Sequence, residues 1–162
     1  MTADLTAPIS TAMSRLLPLA RMSRGPFKWA IADSAAIAIL TGRLEAYAKL
    51  GRFITYSQLV SDVNFKIYPN QDYFIDVEEW HGLDRTIIGE YLAWIIVNSY
   101  RDNGIMLSTI CVTKRGEQMP GFSFFTWMQS VRLLEDLSEE SILGFWATET
   151  KKVFNFYKKD TK

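Results

Sequence analysis

Between residues 33 and 50, small and apolar side chains return every three or four positions: Ala36, Ile37, Leu40, Leu44, Tyr47 and Ala48. That spacing predicts an amphipathic helix. Asp33 or Ser34 can cap its start, and Gly51 stands where a helix stops. The run Phe53-Ile54-Thr55-Tyr56 is aromatic and β-branched, which predicts a brief strand. Ser57 follows as an N-cap for a short helix over 57–63. A wide apolar face begins after Asp84, with Ile87, Ile88, Tyr91, Leu92, Ile95 and Ile96, and predicts a helix over 84–102 ended by Asn103-Gly104. Ile105 to Thr113 is an apolar run enriched in β-branched residues, so a buried strand is predicted there. Lys114-Arg115-Gly116-Glu117 reads as a hairpin turn, and 123–130 as either a short helix or the return strand. Ser138 with Glu139-Glu140 opens a last helix, about 138–158, with Ile142, Trp146, Val153 and Tyr157 on one stripe. Its acidic start and lysine-rich end suit the helix dipole.

Residues 64–82 follow no period. Phe65, Ile67, Tyr68, Tyr73, Phe74 and Trp80 are interrupted by Pro69, Asn70 and Asp72, so the segment reads as an aromatic-rich insertion. The order of helix, short strand, short helix, long helix, strand, basic turn, strand and helix is that of a winged helix-turn-helix with additions. The predicted fold class is therefore α+β. It comprises a winged-helix-like core with a short antiparallel hairpin, an insertion at about 64–82, and extra N- and C-terminal helices. Ser23-Arg24-Gly25-Pro26 is the first break. It divides an N-terminal arm or short helix (1–26) from a single α+β domain (27–162). Residues 12–23 can form a short basic amphipathic helix, read either as a surface arm or as a docking segment.

The stretch Ile54-Thr55-Tyr56-Ser57-Gln58-Leu59 resembles the opening of the winged-helix alkyltransferase domain in alkylguanine-DNA alkyltransferases. The later Gly116 turn and Gly121-Phe122 also have counterparts there. Aligning the turn glycine puts Ser108, Thr109 and Ile110 where that family keeps its nucleophilic Cys, its His and its Arg. The resemblance thus implies a winged-helix topology without alkyl transfer. The chain is also similar to small uncharacterised bacterial and phage proteins that share a T-Y-x-x-L element and a P-G-x-G-F element.

Composition narrows the function. Eighteen basic residues balance 18 acidic ones, against a simple polybasic nucleic-acid binder, though the charges are patchy along the chain. One Cys and one His exclude an intrachain disulfide framework and Cys-rich or paired-His metal sites. No cofactor is expected. No apolar run reaches the length of a membrane span, so a soluble, cytoplasmic protein is expected.

His81 can act as a general acid/base with Glu78, Glu79 or Asp84, the weak enzymatic candidate, or can be a plain loop histidine. Cys111 sits between Ile110 and Val112, where a thiol is buried and inert. Asp72, Asp76, Glu78 and Glu79 form an acidic group that reads as a solvated face, without the register of a calcium loop. Arg85 with Lys114 and Arg115 occupies the places a winged helix turns toward phosphate, so these three are the nucleic-acid-binding candidates. Phe65, Tyr68, Tyr73, Phe74 and Trp80 are the partner-binding candidates, expected to be exposed because they lack periodicity. Together these readings favour a non-enzymatic interaction or adaptor protein with a protein partner or self-association. A winged-helix DNA- or RNA-binding regulator is the alternative, and a His81-dependent hydrolase a third.

Overall fold

The computed structural model describes residues 29–67, 71–114 and 119–159. The N-terminal arm, Tyr68 and the Arg115-Gly116 turn tip lie outside the described residues. The chain is a mixed helix-and-strand protein dominated by helix. A 3-10 turn at Ala30–Ala32 leads into α1 (Ser34–Lys49), β1 (Ile54–Thr55), α2 (Tyr56–Val60), β2 (Phe65–Ile67) and β3 (Gln71–Tyr73). Then come α3 (Gly82–Asn103), a 3-10 turn at Leu107–Ile110, β4 (Cys111–Val112), α4 (Phe122–Ser130) and α5 (Glu139–Lys159).

α1 buries Ala36, Leu40, Leu44 and Ala48, the four-residue repeat that predicted it. Its N-cap is Asp33, whose carboxylate accepts from the Ala36 N–H. It ends in a Schellman motif: Gly51 N–H donates to Ala48 O at 3.0 Å and Arg52 N–H to Tyr47 O at 3.0 Å. Gly51 holds φ +66°, where a side chain would strain the backbone. This tight exit sets Leu50, Arg52 and Phe53 at the surface.

α2 is capped two residues earlier than Ser57 predicts. Thr55 is the cap, and Thr55 and Gln58 exchange two hydrogen bonds as a capping box. The far end of α2 is closed from outside: Arg43 of α1 donates to the carbonyls of Leu59 at 2.8 Å and Ser61 at 2.7 Å. Ser138 caps α5 through the Ser141 N–H, as its sequence indicates.

Two expectations for the second half are corrected. The run 105–113 is not one strand. Leu107–Ile110 coils into the 3-10 turn and only Cys111–Val112 extends. Ser99 braces the entry to the coil, donating to Ile105 O at 2.8 Å and accepting from Leu107 N–H at 3.2 Å. Nor does β4 open an antiparallel hairpin. It pairs in parallel with β1, Ile54 opposite Cys111 and Thr55 opposite Val112. Thr113 N–H closes the turn onto Met119 O, but Pro120 cannot donate to a ladder, and Phe122–Ser130 is helix α4. The antiparallel hairpin among the described residues lies inside the 64–82 segment, β2 against β3, with Phe65 opposite Tyr73 and Lys66 opposite Asp72.

The main core gathers α1, the strands, α3 and the C-terminal half of α5 around Leu40, Leu44, Phe65, Tyr91 and Ile110. A second cluster joins the last turns of α3 to α4 and the first half of α5 through Ile96, Met106, Phe125 and Met128. Trp94 packs against both. No described helix is long and apolar enough to cross a membrane.

Candidate functional site

The 64–82 segment is stitched to the body by two buried carboxylates. Asp33 caps α1 with one oxygen. Its other oxygen accepts from Lys66 N–H in β2 at 2.8 Å and from the Tyr91 hydroxyl of α3 at 2.6 Å. Asp84 does the same at the other end, accepting from Tyr73 OH at 2.6 Å and from His81 N–H at 2.7 Å. Both are buried, and full pairing is what makes a buried carboxylate tolerable.

These bonds sort the predicted aromatics. Phe65 is a correction: it is fully buried, edge-on to Tyr91 with ring centroids 4.9 Å apart, so it is core and not a docking residue. The alternation of a strand turns it inward together with Ile67 while Lys66 faces out. Tyr73 is half-buried and held by Asp84, and Trp80 is half-buried against the core. Phe74 is 59 % exposed, and Leu83, a residue the sequence did not single out, is 45 % exposed. Each is next in sequence to a partner of the Tyr73–Asp84 bond. Asp76, Glu78 and Glu79 are exposed on the loop between them.

His81 is exposed at the N-cap of α3, and its link to Asp84 runs through its backbone N–H. With both oxygens of Asp84 engaged, that carboxylate is not a base partner for the imidazole. Glu90 is likewise engaged, accepting at 2.8 Å from Trp29 N–H and Ala30 N–H. Burial pushes the Cys111 thiol well above its ordinary range. Arg85 is exposed on the first turn of α3, and Lys114 is exposed directly after β4. Among the described residues no group of three His, Cys, Asp or Glu is placed to hold a metal ion.

A second surface was not legible from the aromatic content of the insertion. Phe53, read as strand, stands outside β1 and packs on α5. Its ring stacks on Trp146 at 5.3 Å and meets Phe154 edge-on at 5.3 Å. Trp146 is anchored by donating its indole N–H to Thr109 O at 2.9 Å. Phe53 remains 43 % exposed, with Leu143 at 43 % one turn before Trp146 and Leu50 at 68 % on the α1 exit. Lys151 and Lys158 flank Phe154 at the i−3 and i+4 positions of α5, and Lys49 and Arg52 flank Leu50. Glu139 and Glu140 stand exposed at the i−4 and i−3 positions of Leu143, so charges of both signs border these apolar side chains.

A separate cleft of about 460 Å³ opens beside the start of α1, lined by Ile31, Ser34, Ile37, Thr41, Glu45 and Trp94 among others. Glu45 at its edge accepts from Tyr157 OH of α5 at 3.1 Å.

Set against known families, curated proteins and solved structures, the chain matches no family model, no protein and no structure.

The tyrosines give a pH test of these contacts. The Asp84 hydrogen bond pushes the Tyr73 phenol up to about 12, and burial pushes Tyr56 up to about 12. Burial first, then the Asp33 bond, moves Tyr91 upward too. An unfolded tyrosine ionises near pH ~10. The neutral phenols therefore contribute their full stability below pH ~10, and it is lost as pH rises through about 12. Ultraviolet titration should show part of the 7 tyrosines ionising late, together with loss of tertiary circular dichroism. Simultaneous ionisation of all of them near pH ~10, with the fold intact, contradicts these contacts.

Proposed function

We propose that this chain is a non-enzymatic interaction module, a protein-binding adaptor built on a winged-helix-like core. The observation that carries this reading is the exposure of the large apolar side chains Leu50, Phe53 and Leu143, with Phe53 seated on Trp146 and Phe154. Apolar area left in water is unfavourable, so burying it on a partner is a gain. The winged-helix-like part is supported by the order α1, β1, α2, α3, β4 along the chain. The hairpin β2–β3 and its acid-rich loop lie between α2 and α3, where a DNA-binding helix pair has a short turn.

Affinity capture with wild-type protein and the surface variant Leu50→Glu/Arg52→Glu tests the reading. A protein retained by the wild type should be lost at least ~10-fold from the variant, with circular dichroism unchanged. Equal capture by both removes the reading. A nucleic-acid role is supported only by the exposure of Arg85 and Lys114. It predicts duplex binding at low salt that falls steeply as salt rises and is lost in Arg85→Ala/Lys114→Ala.

A further inference from the structure

We propose that the cleft beside the start of α1 is filled in cis by this chain's own apolar segment Leu16–Ala20, which a partner has to displace to enter it. The contact is separate from the Phe53 surface, so its failure leaves the interaction-module reading standing.

The cleft is a single cavity of about 460 Å³, in the size range of sites that bury a small ligand or a few side chains. Ser34, Ile37, Thr41 and Glu45 line it as one stripe of α1 at three- and four-residue spacing, and Trp94 of α3 lines it too. Ile31, another lining residue, is 58 % exposed, so apolar area is left there to cover. Glu45 is its one charged lining residue and Lys49 stands a turn further along α1, so charge does not choose the occupant.

Chain continuity does. The described fold is entered at this cleft: the Trp29 and Ala30 N–H groups both donate to Glu90 at 2.8 Å, and Ala30 and Ile31 are themselves cleft residues. Twenty-eight residues precede Trp29, and Leu16, Leu17, Leu19 and Ala20 are the densest apolar stretch among them. Leu19 and Trp29 are ten positions apart, a reach of up to about 35 Å, against about 18 Å for the helical stripe from Ser34 to Glu45. The segment can therefore meet every part of the cleft. So short a tether gives a local concentration on the order of millimolar, which a free partner has to exceed.

A nitroxide on the full-length Ala46→Cys chain reads the contact. Ala46 is exposed one residue past Glu45, and Cys111 is fully buried, so one thiol is labelled. The amide signals of Leu16, Leu17, Leu19 and Ala20 should be lost to broadening and return when the nitroxide is reduced. Adding Ala38→Glu/Thr41→Glu puts charge on the cleft wall and should restore them, with circular dichroism unchanged. In a mixture of isotope-labelled wild type with nitroxide-bearing chain of natural isotope content, the signals should stay. With no nitroxide present, trypsin should cut after Arg15 and Arg21 about 10-fold faster in Ala38→Glu/Thr41→Glu than in wild type. Signals that never broaden, signals that stay broadened when the cleft is charged, or equal cutting rates overturn the proposal. Loss of signal in the mixture overturns it as well, because it assigns the cleft to a second copy.

Discussion

Asp33→Ala should destabilise the protein by about 3–5 kcal/mol, lowering its melting temperature by about 10–15 °C. The carboxylate is buried and satisfies three donors from three elements: Ala36 N–H of α1, Lys66 N–H of β2 and Tyr91 OH of α3. Removing it leaves these donors in an interior that water does not easily reach, and each unsatisfied group costs about 1–3 kcal/mol. It also removes the N-cap of α1, worth about 1 kcal/mol. The effects overlap, so the total falls short of their sum. Asp33→Asn should fall between wild type and Ala. Its one carbonyl oxygen can cap α1 or meet Lys66 N–H, but its amide then points donors at a donor. Thermal unfolding followed by circular dichroism measures both. A shift under about 3 °C for Ala would show that water or a neighbour replaces the carboxylate, and that the hairpin is not anchored through it.

That anchor marks where the sequence stops being informative. The helices were legible because α1 repeats Ala36, Leu40, Leu44 and Ala48, and α3 repeats Ile87, Tyr91, Leu92 and Ile95 on one face. The segment 105–113 was not, because Ile105 to Val112 is buried throughout. A run with no exposed positions has no period, so a 3-10 coil and a strand look alike. The coil is held by bonds that no local pattern reports, two to Ser99 several residues away and Thr109 onto Met106 O. The return strand failed for a related reason: β4 finds its partner in β1, over fifty residues earlier, and no local pattern reports a parallel pairing.

The candidate surface shows the same division. Aromatic content drew attention to Phe74, which is exposed, but the Phe53 surface assembles from the exit of α1 and from α5. Phe53 and Trp146 are ninety-three positions apart in sequence, and only packing brings them together. His81 with Asp84 looked like a reactive pair because their spacing was local. The fold uses the Asp84 carboxylate to hold a backbone donor and a phenol instead.

Phe65 and Phe74 carry the sharpest contrast between aromatic residues of one short segment. Phe65→Ala should cost about 3–5 kcal/mol, the range for emptying a buried phenylalanine site. The ring is fully buried, and its edge contact with Tyr91 bridges the hairpin to α3 beside the Asp33 hub. Cavity collapse is hindered there, because Asp33 ties Lys66 of β2 and Tyr91 of α3 in place on either side. Phe65→Leu, which keeps most of the volume, should cost about 1–1.5 kcal/mol. Phe74→Ala, nine residues on, should change stability by less than about 0.5 kcal/mol, since its ring is largely in water already. Urea unfolding midpoints at constant slope measure all three. If Phe65→Ala cost no more than Phe74→Ala, the hairpin would be a surface flap rather than part of the core, and Phe65 would return to the set of docking residues. If instead Phe65→Ala unfolds the chain while Phe74→Ala leaves it as stable as wild type, one aromatic holds the hairpin on the core and the other is surface.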